Sequence, residues 1–311
     1  MKILVTGGAG FIGSQVADAF LEQGHNVAII DNLSTGVKEY LNPQAKHYHV
    51  DLTDQSAINQ AISEFKPDII DHHAAQIDVR KSVADPLFDA NTNIIGSLNL
   101  MLAAEKNGVK KIIYSNSGGA GYGDPKPENV PCKEDAPIVP LSPYGVSKMT
   151  VERYLYSRKN TGGTDYVALR YGNIYGPRQT FGEAGVCAIF THQMLNNGDC
   201  TIFGDGSQER DYVFVKDVIA ANILALEDKM SGPFNVGTGV GVTTQQVFDA
   251  TKKATGYTKE AIYEDERVGE IQRIILDSSK LQGMGWQPSV TFEEGILQTV
   301  EWMRQKGNES S

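Results

Sequence analysis

Lys2-Ile3-Leu4-Val5-Thr6-Gly7-Gly8-Ala9-Gly10-Phe11-Ile12-Gly13 decides the fold. A run of aliphatic and β-branched residues enters a turn with glycines at 7, 10 and 13, and a helical pattern begins at Phe11. In a strand–turn–helix unit the three glycines have separate tasks. Gly7 makes the tight turn, Gly10 lets the backbone approach a pyrophosphate without a Cβ in the way, and Gly13 lets the helix pack close to the strand. The amides of Phe11 and Ile12, at the helix start, then face the phosphates. A glycine turn alone could serve only to bend the chain. Here a second strand-like run follows the helix and ends in Asp31, close to the interval at which a carboxylate meets the adenosine ribose of a dinucleotide. That carboxylate repels a 2′-phosphate, and Asn32-Leu33-Ser34-Thr35 offers no arginine as counter-charge, so the stretch points to NAD rather than NADP. Gly237-Thr238-Gly239-Val240-Gly241 has no such acid after it and reads as a loop.

Outward from this unit, strand-like runs at 26–30, 47–50, 68–71, 111–114 and 165–169 alternate with segments long enough for crossover helices. The alternation predicts an α/β chain with a Rossmann-type, doubly wound parallel sheet. After residue 175 the rhythm breaks into a glycine-rich loop, a helical 188–195, a strand-like 201–203 and scattered short elements. We read residues 1–175 as the NAD-binding domain and residues 176–311 as mainly a smaller C-terminal α/β substrate lobe. Return segments near 210–227, made of 212–215 and a helical 218–226, are expected to rejoin the first sheet. A chain of 311 residues exceeds what one hydrophobic core usually supports.

The formal net charge of −10 offers no broad basic surface to nucleic acid or an anionic membrane. No apolar run reaches transmembrane length, and the N-terminus carries no signal-peptide pattern. Cys132, Cys187 and Cys200 are odd in number and widely spaced, which fits neither a disulfide framework nor a zinc module. The expectation is a reduced, cytoplasmic protein. His72-His73 lacks a third metal ligand at convincing spacing, so no metal is expected. The pairs Lys110-Lys111 and Lys252-Lys253 read as solvated strand or helix ends.

Pro143-Tyr144-Gly145-Val146-Ser147-Lys148 opens a helical stretch that puts Tyr144 and Lys148 one turn apart on a single face. The same spacing recurs at Tyr122 and Lys126, but Pro125 between them removes the helix that would align the pair. A tyrosine with a pKa near 10 becomes a base at neutral pH only if its phenolate is stabilised by about 4 kcal/mol. One cation at about 4 Å supplies that at an effective dielectric near 20, so Lys148 with a positive nicotinamide ring suffices. Upstream, the 111–114 strand runs into Ser115-Asn116-Ser117-Gly118-Gly119-Ala120, which places hydroxyls at the carboxyl edge of the sheet. Ser117 is the candidate for holding a reacting hydroxyl or keto oxygen.

The Gly7–Gly13 turn, Asp31, and Tyr144 with Lys148 together resemble the extended short-chain dehydrogenase/reductase superfamily. Ala74-Ala75-Gln76, Asp85-Pro86, Asn93 with Gly96, the run from Leu169 to Arg178, Phe203-Gly204-Asp205-Gly206 and Arg210-Asp211-Tyr212-Val213 narrow the resemblance to its UDP-glucose 4-epimerase branch, over nearly the whole chain. Such a resemblance implies an isomerase with catalytic Tyr144, Lys148 and Ser117. It implies further that Asn32, Asp51, Leu52, Ala74, Ala75 and Asn93 join the glycine turn around NAD. Ser117, Asn173, Arg210, Arg267 and Glu270 would contact a UDP-sugar, and a homodimer would form through helices spanning 89–106 and 148–159. Arginine suits a diphosphate because its fork is permanently charged and bidentate. Two departures stand out. Gly118 occupies a position where some members carry a hydroxyl, leaving Ser117 to serve one step earlier. Gly121 stands where an aliphatic residue is common, and is expected to loosen its loop. UDP-glucose/UDP-galactose leads as substrate. UDP-N-acetylglucosamine, UDP-glucuronate, a sugar-nucleotide 4,6-dehydratase and a non-catalytic nucleotide-sugar or NAD-binding protein stay open.

Overall fold

The computed structural model describes residues 1–179, 185–267, 269 and 271–309. The chain divides into two compact units. The first comprises Met1–Gly121, Pro140–Arg170 and Ile219–Phe234. Its strands β1 (Lys2–Thr6), β2 (Asn26–Asp31), β3 (Lys46–His49), β4 (Ile69–His72), β5 (Lys111–Ser117) and β6 (Asp165–Tyr171) join Gly232–Val236 in a seven-stranded sheet. The order is Gly232–Val236, β6, β5, β4, β1, β2, β3, with β2 and β4 both parallel to β1, β3 parallel to β2, and β5 parallel to β4. This is the mostly parallel, Rossmann-like α/β sheet read from the sequence. Because strand order reverses beside β1, the carboxyl ends of β1 and β4 form the switch point where open α/β sheets hold ligands.

Alternation of apolar residues builds this sheet. Leu4, Ala28, Ile30, Ile70, Ile112 and Tyr114 share one core, which Ile58, Ile62 and Phe65 of the Gln55–Phe65 helix and Leu100, Ala103 and Ala104 of Gly96–Lys106 close. Burying each large apolar side chain contributes roughly 1.5–3 kcal/mol. Pro86–Ala90, a π turn at Asn91–Ile95 and Gly96–Lys106 follow one another without a break, and the π turn carries the buried Asn93. Such turns in a helix often mark functional positions.

Lys111 corrects one expectation. It is buried, not solvated, because its ammonium donates to the carbonyls of Ala225 (3.3 Å) and Glu227 (2.6 Å), just past the Val215–Leu224 helix. A cation suits that negative helix end.

The second unit comprises Tyr122–Val139, Tyr171–Val218 and Asn235–Ser311. The expected return of 212–215 to the first sheet does not occur. Glu209–Phe214 instead pairs antiparallel with Gly241–Thr243 and parallel with Arg273–Ile274 and Asn173–Tyr175. Its Tyr212 and Phe214 enter a core with Tyr175, Phe190, Ile202, Phe248 and Ile296 of this same unit, which holds the strand there. Gly232–Val236, too short and glycine-led to stand out in the sequence, is the strand that rejoins the first sheet. Tyr122–Val139 falls in the second unit although it lies inside residues 1–175. The cause is local: Tyr122 and Cys132 pack with Ile274 and Leu276, and Cys132 exchanges backbone hydrogen bonds with Ile275 and Asp277.

Candidate active site

In the first unit the glycine turn is pinned on both sides. The Gly7 amide donates to the Ile30 carbonyl at 2.8 Å, and the His73 amide to the Thr6 carbonyl at 3.1 Å. Gly7 has φ +69°, and a Cβ there would lie 2.7 Å from the Ala74 nitrogen; at Gly13 it would lie 2.4 Å from the Gly7 carbonyl oxygen. The helix Phe11–Glu22 begins at Gly10 with no side-chain cap and no acid in its first turn. Its amides and dipole are therefore left to an outside anion.

Asp31, at the end of β2, accepts from the amides of Ala9 (2.9 Å) and Leu33 (2.8 Å). A carboxylate has about four acceptor sites, so capacity for a ribose hydroxyl remains. Asn32 donates to Asp51 at 2.7 Å, and Asp51 also accepts from the Thr53 amide and hydroxyl. These bonds hold the Asp51 carboxyl below its ordinary value, those from Thr53 most strongly. Leu52 is buried beside Gly96, and after β4 Ala74 lies against the turn, with Ala75 next in the chain. Asn93 is wholly engaged: it donates to the Gln76 carbonyl, Asp89 and Ser147, and accepts from the Gln76 amide.

Pro143–Asn160 is a helix capped by Ser142, whose hydroxyl accepts from the Gly145 amide, with Pro143 in its first turn. Gly145 admits the close approach of Ala120, since a Cβ there would stand 2.5 Å from that carbonyl oxygen. Tyr144 and Lys148 lie on this helix, and the Ser117 hydroxyl, at the end of β5, is near enough to act on the Tyr144 phenol. Burial pushes the Tyr144 phenol up to about 12, the charge of Asp89 adds to this, and the Ser117 hydroxyl pulls the other way. Burial pushes Lys148 down to about 7, with Asp89 opposing. In the protein by itself, where the nicotinamide charge has no part, the phenol is therefore not yet retuned as a base. Both groups are desolvated, the charge of Asp89 acts on both, and the Lys148 ammonium sits 4.7 Å from the centre of the Tyr114 ring.

Two other readings resolve. The hydroxyl of Tyr122 donates to Asn235 at 2.7 Å in a buried setting, which makes it a framework residue. Gly121 does not loosen its loop: a Cβ there would come within 1.6 Å of the Met149 terminal carbon, so Met149 fills the volume an aliphatic residue would take. His72 is buried between the hydroxyls of Thr6 (2.7 Å) and Ser97 (2.9 Å), well below its ordinary pKa through desolvation and hence neutral, and His73 lies 2.9 Å from Asp71.

In the second unit, Asn173 pairs in register with Tyr212, and Arg210 lies two residues earlier on that same strand, opposite Val242 and Ile274. Arg210 donates to the Glu209 carbonyl at 3.0 Å. Its neighbour Asp211 is buried and accepts from Thr238, Gly239 and Leu276, clamping the 237–241 loop. The Arg267 guanidinium lies 3.6 Å from the centre of the Phe203 ring. Glu270 lies outside the described residues.

The model of the NAD dependent epimerase/dehydratase family matches residues 3–237. The chain belongs to this family. It is 42% identical to the UDP-glucose 4-epimerase of Mycolicibacterium smegmatis over 314 residues, covering 98% of this chain and 99% of that one. A UDP-glucose 4-epimerase of Thermotoga maritima, solved with UDP-glucose, is 47% identical with a TM-score of 0.96, covering 98% of this chain and 99% of that one. The UDP-glucose 4-epimerase of Thermus thermophilus, solved with NAD, is 43% identical with a TM-score of 0.94 at the same coverage.

The residues present suit the NAD of an NAD-dependent epimerase/dehydratase: a cradle that a Cβ at Gly7 or Gly13 would fill, an uncapped helix start, and Asp31 with acceptor capacity to spare. Sequence reasoning missed Asp89, Asn116, Glu152 and Arg170, all buried. A signal for Glu152 was there, since Tyr144, Lys148 and Glu152 recur every fourth residue on one helix. Arg170 and Asn116 carried none, because only folding places β5, β6 and the helix together.

Proposed function

We propose that this chain interconverts UDP-glucose and UDP-galactose by inverting C4 through a 4-keto sugar. The observation that carries the reading is the single helix that sets Tyr144 one turn from the buried Lys148, with Ser117 at the end of β5 acting on the phenol, in a chain of an NAD-dependent epimerase/dehydratase family. When bound, NAD supplies a two-electron acceptor for the C4 hydrogen and a fixed positive charge beside the phenol. Tyr144 takes the proton of the sugar 4-hydroxyl and later returns it. Ser117 holds the same oxygen by hydrogen bonding, and Lys148 adds positive charge behind the phenolate. The keto sugar stays tethered through its UDP while the ring turns over to expose its opposite face.

Gly7, Gly10, Phe11, Ile12, Gly13, Asp31, Asn32, Asp51, Leu52, Ala74, Ala75 and Asn93, with Tyr144 and Lys148, are the proposed surroundings of NAD in the first unit. Asn173, Arg210, Arg267 and Glu270, from the second unit, are proposed for the uridine diphosphate. We also propose a homodimer through the helices at 89–106 and 148–159, supported by the exposed Ile95, Leu102 and Tyr154 they carry. A monomeric mass in solution refutes it. Cytoplasmic location is proposed on the three free, buried cysteines; among the described residues no helix is long and apolar enough to cross a membrane.

The test is incubation with UDP-galactose without added NAD, following the anomeric proton signals by NMR. Conversion to UDP-glucose supports the reading; no conversion, even after NAD is added, refutes it.

A further inference from the structure

Behind Ser117 lies a buried polar chain for which the mechanism above has no use. Arg170, at the end of β6, grips Glu152 of the Pro143–Asn160 helix with two bonds, Nε to Oε2 at 2.9 Å and Nη2 to Oε1 at 2.6 Å. Glu152 Oε2 also accepts from Asn116 Nδ2 at 2.6 Å, and Asn116 Oδ1 accepts from the Ser117 amide at 2.8 Å. Arg170, Glu152 and Asn116 are all at most 3% exposed. One end of the Asn116 amide meets a carboxylate and the other an N–H, so its orientation has a single solution. The fork of Arg170 likewise leaves Glu152 one position.

Burying an ion pair is a poor way to stabilise a core, since hydrophobic residues of similar volume do as well or better. What the pair does supply is geometry. Tyr144, Lys148 and Glu152 stand on one rigid helix, and Glu152 meets Asn116, the residue before Ser117. The end of β5 is thus tied to the helix that bears the reacting phenol. That hold matters here because Gly118 and Gly119 follow Ser117 and bring no hydroxyl of their own.

We propose that Asn116, clamped by the Glu152–Arg170 ion pair, is a positioning residue that aims the Ser117 hydroxyl at Tyr144. It touches neither substrate nor cofactor and acts through Ser117, so the proposal rests on the epimerase reading of Ser117 and Tyr144.

The experiment is a double-mutant cycle on the NAD-loaded enzyme with UDP-galactose, using Asn116→Ala, Ser117→Ala and the pair. Melting temperature and NAD content are measured on each protein. Asn116→Ala should lower kcat about tenfold with KM within about twofold and NAD content unchanged. In the Ser117→Ala background it should cost nothing further. Because the Ser117 hydroxyl favours the phenolate, loss of its aim should also move the acid limb of the kcat profile to higher pH, a shift that loosened packing alone does not give. If Asn116→Ala does not fold, Asn116→Ser makes the same cut in a small polar side chain. Wild-type turnover in the Asn116 variant, or a full additional loss in the double variant, overturns the proposal while the reading of Ser117 stands. Wild-type turnover in Ser117→Ala overturns both.

Discussion

Replacing Gly13 by Ala should separate the packing of the glycine turn from its chemistry. A Cβ at Gly13 would lie 2.4 Å from the Gly7 carbonyl oxygen and 2.9 Å from its carbon. An ordinary carbon–oxygen contact is about 3.3 Å, so the helix and the turn would have to part by roughly 0.9 Å. Both sides are backbone and neither has a rotamer to yield, which puts the cost near the upper end of overpacking, about 3 kcal/mol. Ala in a helix recovers about 1 kcal/mol over Gly, leaving a net loss of about 2 kcal/mol. At roughly 2–4 °C per kcal/mol the melting temperature should fall by about 4–8 °C. Gly10→Ala is the contrast. It has an ordinary φ of −86°, and its nearest contact, the Gly7 oxygen, is at 3.2 Å. Its melting temperature should stay within about 2 °C, yet its NAD should be lost, because a Cβ stands where the pyrophosphate approaches. The assay is calorimetry of NAD-stripped protein beside quantification of nucleotide released on denaturation. A Gly13→Ala protein that melts with wild type, or a Gly10→Ala protein that loses as much stability as Gly13→Ala, refutes the assignment of the two glycines.

The catalytic pair yields three more expectations. Tyr144→Phe should keep its NAD and lose at least about 10³-fold in kcat, as measured by NMR turnover, because it removes the group that takes the proton. The Tyr144 phenol, pushed up to about 12 in the protein alone, should ionise at lower pH once NAD is bound; tyrosinate absorbance at the new, lower pH should appear in wild type and be missing in Tyr144→Phe. Lys148 is pushed down to about 7, so its folded value lies below its unfolded one. The penalty for burying its ammonium is fully present below pH 7 and is relieved as pH rises toward 10.5. In NAD-free protein, Lys148→Met should therefore gain more stability over wild type at about pH 6 than at about pH 9, by roughly 2–3 kcal/mol, and equal gains at both would contradict the burial argument.

Much of the first unit was legible because its signals are local. Period-two alternation, three glycines at fixed spacing and an acid after the second strand need no knowledge of distant residues, and each landed on the carboxyl edge of the sheet. Tyr144 and Lys148 were legible for the same reason, one helical turn apart behind a capping Ser142 and a Pro143. Gly121 misled because a missing side chain can be replaced from elsewhere, here by Met149 twenty-eight residues on. Glu209–Phe214 misled because an apolar run is the same in either sheet, and only the side chains that receive Tyr212 and Phe214 decide which. By itself the sequence determined the α/β class, the cofactor turn and the Tyr144–Lys148 pair, since helix and strand periods place those residues through short-range geometry. Tertiary structure alone decided the burial and the charged surroundings of the site. Burial of Lys148, the carboxylate of Asp89 and the Arg170–Glu152–Asn116 chain behind Ser117 depend on desolvation and on contacts between residues far apart in the chain, which no local pattern encodes.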